Sequence, residues 1–240
     1  MNNRKEPSPA VSHRTCFKVS LVLLYLFVSL FSALEAGAIS CHCFRERTFN
    51  PVQPASADPY ILATTRNSLL AAASGIDKAA VVRQRMTGAS ETDLWLSLYL
   101  STLVDRTPDL LLEARDSSSS WSAAFDAVDL QTGKLGTAFQ GAREAGKADG
   151  MARALADTVL GKAFKAGETT LERLRDNDAS IAESTLSLYL SGRLKRTPES
   201  LLKDVKTGSK TWGGLLNSLD IRFDEIGDLI AEEVKQVNSE

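Results

Sequence analysis

Apolar positions along most of this chain recur at helical spacing, and the breaks between the periodic runs carry helix caps. Ile61, Leu62, Leu69, Leu70 and Ala73 form the first apolar side. Asp58-Pro59 in front of them reads as an N-cap followed by proline at the first helical position, and Gly75 as a left-handed stop. Asp77 then caps a helix with Val81, Val82 and Met86 that ends near Gly88. Ser90-Glu91-Thr92-Asp93 is a capping-box variant that opens a third helix. Leu96, Tyr99, Leu100 and Leu103 fall at i, i+3, i+4 and i+7, one helical face, and Leu94, Trp95 and Leu98 widen it. A helix apolar around most of its circumference belongs at the centre of a bundle. Thr107-Pro108 starts the next helix, with Leu110, Leu111 and Leu112 behind it. The serine run at 117–120 is a turn, Trp121 opens a short helix with Phe125 and Val128, and Leu135, Ala138, Phe139 and Ala142 mark one more.

The same order then returns. Ser97-Leu98-Tyr99-Leu100-Ser101, Arg106-Thr107-Pro108, Leu111-Leu112 and Trp121 have counterparts in Ser187-Leu188-Tyr189-Leu190-Ser191, Arg196-Thr197-Pro198, Leu201-Leu202 and Trp212, an offset of about 90 residues. Met151, Leu155, Val159 and Ala163 mark a helix broken by Gly167, Leu171 and Leu174 a second that stops before Asn177, and Ser180 to Glu183 a full capping box. Ile226, Leu229, Ile230 and Val234 supply the apolar side of the last helix. The expected fold is all-α: two tandem copies of a helical unit, residues 58–148 and 149–240. Each copy is a small domain of its own, or the two share a core.

The N-terminus has a different pattern. Arg4, Lys5, Arg14 and Lys18 precede an uncharged run at 19–34, VSLVLLYLFVSLFSAL, and Ala36-Gly37-Ala38 follows with the small residues a signal peptidase reads. As a helix that run would reach roughly 24 Å, short of the roughly 30 Å hydrocarbon core. Residues 1–38 are therefore read as a secretory signal, and the protein as periplasmic or secreted. A retained anchor is the alternative. So is lipidation at Cys41, because Ala38-Ile39-Ser40-Cys41 is a distant relative of a lipoprotein cleavage box. Residues 39–57, with two prolines and no apolar period, form an irregular arm with Phe44 and Phe49 as anchors.

Composition narrows the function classes. The 240 residues are 43% hydrophobic and 24% charged, which suits a packed core. A net charge of −2 offers no excess to neutralise phosphates. Residues 110–135 resemble helix-turn-helix spacing, but the helix after Trp121 is poor in Arg and Lys, and export would keep the protein from DNA. No nucleic-acid partner is expected.

The cysteines are Cys16, Cys41 and Cys43, and the histidines His13 and His42. Cys41-His42-Cys43 is the one cluster of soft ligands. It could hold copper or zinc, form a disulfide, or be partly a lipidation site. No downstream His or Cys completes a four-ligand site. Tyr99, Tyr189, Trp121 and Trp212 could be paired ligand contacts, but stripes at helical spacing favour packing. Arg106-Thr107-Pro108 and its counterpart could hold an anion, but capping explains them. Asp224, Asp228 and Glu232 could form a carboxylate row, which favours a solvated helix face. No Gly-rich phosphate loop, His-Glu-x-x-His or Gly-x-Ser-x-Gly is present.

The Cys41-His42-Cys43-Phe44 opening and the Ser-Trp and Thr-Trp pairs resemble exported bacterial proteins to which no activity is attached. That resemblance implies export and little more. The expected function is a non-enzymatic exported interaction or scaffold module for a protein or peptide partner, without a cofactor. The alternative is a metal or thiol-redox protein acting through Cys41, His42 and Cys43.

Overall fold

The computed structural model describes residues 46–238. The signal read at 1–38 and the Cys41-His42-Cys43 cluster lie outside them. The described residues are helical with short connections, and no strand occurs among them. In chain order the helices are α1 (Asp58–Ser74), α2 (Lys78–Met86), α3 (Glu91–Leu94), α4 (Pro108–Asp116), α5 (Trp121–Ala127) and α6 (Thr137–Glu144). Then come α7 (Ala148–Ala163), α8 (Glu168–Asp176), α9 (Ile181–Leu194), α10 (Pro198–Lys206), α11 (Trp212–Asn217) and α12 (Ile226–Asn238). A π-helical stretch (Trp95–Tyr99) and a 3₁₀ turn (Leu100–Thr102) continue α3.

Most helix starts are fixed by side chains the sequence marks. Asp77 accepts from Ala79 N, Thr107 from Leu110 N, Ser120 from Ala123 N, Thr197 from Ser200 N and Thr211 from Gly214 N. Ser90 and Ser180 both close full capping boxes, with Asp93 and Glu183 as reciprocal partners. One start departs from expectation. The residue before α1 is Ala57, without a side-chain cap, and Asp58 lies inside the first turn. Its carboxylate accepts instead from Trp212 N at 3.1 Å and Gly213 N at 2.8 Å. Asp58 thus caps α11, more than 150 positions away in sequence.

The halves do not keep separate cores. One apolar cluster runs from Ile61 through Leu100, Phe125, Leu155 and Leu190 to Val234. Helix α1 packs against α12, α9 and the π-helical stretch, and α7 packs against α6, α12, α3 and that same stretch. Each half therefore covers the other's first long helix. Such interleaving follows from helices of 4 to 17 residues, most of them too short to bury an apolar stripe against near neighbours alone.

Tyr99, Tyr189, Trp121 and Trp212 are core residues, at most 6% exposed. Leu96 and Leu100 are fully buried, but Leu103, assigned by spacing to the same face, is 45% exposed. The 3₁₀ turn ends at Thr102, so Leu103 leaves the helical screw before it can reach the core. Met86 and Leu110 also emerge on the surface.

A buried ionic knot ties α7 to α8 and α9. Asp157 is 7% exposed and accepts from Arg153 Nε at 2.9 Å and from Arg175. Arg153 also donates to Ala179 O and Ser184 Oγ. Every charge in this knot has a partner, as burial requires.

Candidate functional site

The loop after each Trp-bearing short helix lines an open groove. The loop after α11 turns at Asp220, with φ of 55°, and the loop after α5 at Asp129, with φ of 48°. Aspartate tolerates this left-handed conformation better than most residues, because its short side chain bonds locally. Asp129 does so here, accepting from Gln131 Nε2 at 3.0 Å.

The first groove has a volume of about 560 Å³. The arm gives it Arg47, Thr48 and Phe49, α1 gives Tyr60, and the loop after α11 gives Ile221, Arg222 and Phe223, with Asn217, Asp220 and Asp224. The Arg47 guanidinium stands 5.5 Å from the centre of the Tyr60 ring. Arg222 Nε donates to Asp224 Oδ1 at 3.1 Å and pairs with Glu225 at 3.4 Å. The hydrogen bond from Arg222 holds the exposed Asp224 carboxyl below the usual carboxylate range. Asp58 is what keeps this groove together. Its grip on Trp212 and Gly213 ties the start of α1 to α11, and Thr211 Oγ1 donates to Pro54 O of the arm at 3.1 Å.

The second groove, about 450 Å³, lies between residues 103–106 and the loop after α5. Arg106 ties its two sides, donating through Nε and Nη2 to Val128 O at 3.3 and 3.0 Å. The Arg106-Thr107-Pro108 text is thus a tether and a cap, with Thr107 Oγ1 engaged by Leu110 N.

Asp224, Asp228 and Glu232 are all exposed, and Asp224 sits in the turn before α12. They make no buried carboxylate pair. Cys41, His42 and Cys43 fall outside the described residues, and among those residues no group of His, Cys, Asp or Glu is arranged to hold a metal ion. No helix of the described residues is long and apolar enough to cross a membrane.

Neither groove contains a serine, cysteine or histidine among its lining residues. The first offers the aromatic faces of Phe49, Tyr60 and Phe223, and both offer a guanidinium group and short carboxylates. Sequence reading missed Arg47, Tyr60 and Arg222 because they come together only in space. The matched aspartate turns at 129 and 220 were the available signal. Comparison of the chain with known protein families, with curated proteins and with solved structures gives no match.

Proposed function

We propose that this protein is an exported, non-enzymatic interaction module, made by duplication of a helical unit, that binds a protein or peptide partner through its two loop-lined grooves. The observation that carries this reading is the pair of grooves on corresponding loops, each turning at a left-handed aspartate. Duplication is supported by the paired capping boxes at Ser90 and Ser180 and by the repeated Thr-Pro and Trp helix starts. Export rests on the signal pattern of residues 1–38. A membrane enters only through that segment, retained as an anchor, or through lipidation at Cys41.

Photo-crosslinking side chains placed at Ile221 and Gln131 in the full chain test the grooves. The same partner should form adducts at both sites, and Arg222→Ala should weaken the adduct at Ile221. Adducts no stronger than those from Glu172, exposed on α8, would sink the reading. The second reading, metal or thiol chemistry at Cys41, His42 and Cys43, rests on that soft-ligand cluster. Metal content of untagged protein, set beside the Cys41→Ser/Cys43→Ser double variant, separates the two. Bound metal that disappears in the variant, with crosslinking absent throughout, favours the second.

A further inference from the structure

Helices α4 and α10 hold matching places in the chain, each behind a Thr-Pro start. Their charges are inverted. At an offset of about 90 residues, Asp105 corresponds to Lys195, Glu113 to Lys203 and Asp116 to Lys206. Asp109 and Glu199 keep the same sign.

On α4, Asp109, Glu113 and Asp116 fall at i, i+4 and i+7, one side of the helix, and all three are exposed. None forms an ion pair among the described residues. Like charges in such a row repel one another. Arg115, the one cation of α4, is half-buried and donates to its own turn at Ser118 O. Leu110, 39% exposed, lies three residues before Glu113 and gives that side an apolar centre. On α10 the acids are neutralised within the fold. Arg173 stands 3.9 Å from Glu199, and Arg196 pairs with Asp204 at 2.8 Å. Lys206 pairs with Glu183 at 3.0 Å. Lys203, and Lys210 in the turn after α10, are exposed and form no ion pair among the described residues. Helix α4 packs inward on α5, the π-helical stretch and the 3₁₀ turn, and α10 on α9 and α8. The charged sides face outward.

We propose that the acidic side of α4 docks, head to tail, on the basic side of α10 in a second copy of this chain. Charge complementarity between the two helices carries the inference. Opposite potentials favour α4 against α10 and oppose either helix against itself. The contact joins two different patches, so a bound copy still offers one side of each charge to a further copy. Exposed ion pairs are individually weak and screened by salt, which makes the assembly reversible and salt-sensitive.

A carbodiimide, which joins a lysine amine to a carboxylate only where the two touch, tests this on an equal mixture of unlabelled and heavy-isotope-labelled full chain. At about 0.02 M salt, linked peptides joining Glu113 or Asp116 to Lys203 or Lys210 should combine one labelled and one unlabelled copy. At about 1 M, where the screening length is about 3 Å, their yield should fall at least about fivefold. The Glu113→Lys/Asp116→Lys variant has two basic sides and should lose the mixed products between α4 and α10. Adding Lys203→Glu/Lys210→Glu should restore them at the same positions in the opposite sense. Each variant should keep the helical circular-dichroism signal, and if one does not, the salt series on the parent chain decides. Linkage within single copies only, a yield unchanged at high salt, or no recovery in the folded four-site variant would overturn the proposal. So would mixed products that join other segments and never α4 to α10.

Discussion

Two tryptophans show how little residue type says about cost. Trp121 is buried and its indole N–H donates to Asp93 Oδ1 at 2.9 Å. Trp95 is completely buried and its N–H has no partner. Its energy comes from area and from an edge-on contact with Tyr99, 5.3 Å between ring centres. The two should respond differently to the same substitution. Trp121→Phe loses a satisfied bond and should cost about 1–2 kcal/mol, including the acceptor left behind. Trp95→Phe removes a similar part of a buried ring but an unsatisfied donor, so it should cost less than Trp121→Phe. Urea denaturation of both variants decides it, and a larger loss at Trp95 would mean that lost ring area, not the indole N–H, governs the difference.

At the scale of elements, one text takes two forms. Ser-Leu-Tyr-Leu-Ser sits in a π-helical stretch followed by a 3₁₀ turn at 97–101, and in the regular α9 at 187–191. The neighbours differ: Trp95 occupies the place of Thr185, whose hydroxyl bonds its own helix at Ile181 O. A widened turn gives the larger side chain room against the shared core. The clasp at Asp58 is also an element-level device, joining the start of α1 to the start of α11. Gly213 makes a close fit there: a methyl group would sit 3.1 Å from Pro54 O and 3.2 Å from Phe223, which would have to give by a few tenths of an ångström. Asp58→Ala should cost about 1–2 kcal/mol, as removal of a helix cap does. It should also make residues 47–57 a faster target for limited proteolysis, since the arm is held beside α11. Cleavage at the parent rate would mean that the arm is secured by other contacts.

For the whole molecule, burial of carboxylates sets the response to pH. Burial raises the pKa of Asp58, although Gly213 and Trp212 N–H groups pull it down. Burial likewise raises that of Glu91, against the lowering charges of Arg66, Arg85 and Arg153. A raised native pKa means that the folded state binds the proton more tightly. Stability from these two groups therefore rises as pH falls toward their raised values, and is complete below the ordinary carboxylate pKa of 3.8 for Asp and 4.5 for Glu. Asp204 and Asp224, held low by Arg196 and Arg222, act only below that range. As pH falls from neutral into the ordinary carboxylate range, the Asp58→Asn/Glu91→Gln variant should gain less stability, or lose more, than the parent. Equal changes in urea midpoint would exclude both groups.

Helical class, the caps at Ser90, Thr107, Ser180 and Thr197, and the buried stripe through Leu96 and Leu100 were legible in the sequence. These are local: a cap bonds an N–H two or three residues ahead, and a stripe is a matter of i, i+3 and i+4. The partner of Asp58, the exposure of Leu103 and the two grooves were not legible. Each depends on which helix lies across which, and nothing within a few residues of Asp58 announces Trp212. The sequence alone decided what the pieces are, because their bonds close within one turn of chain. Only the tertiary structure decided that the two halves share a core, because those contacts join segments that the chain keeps far apart.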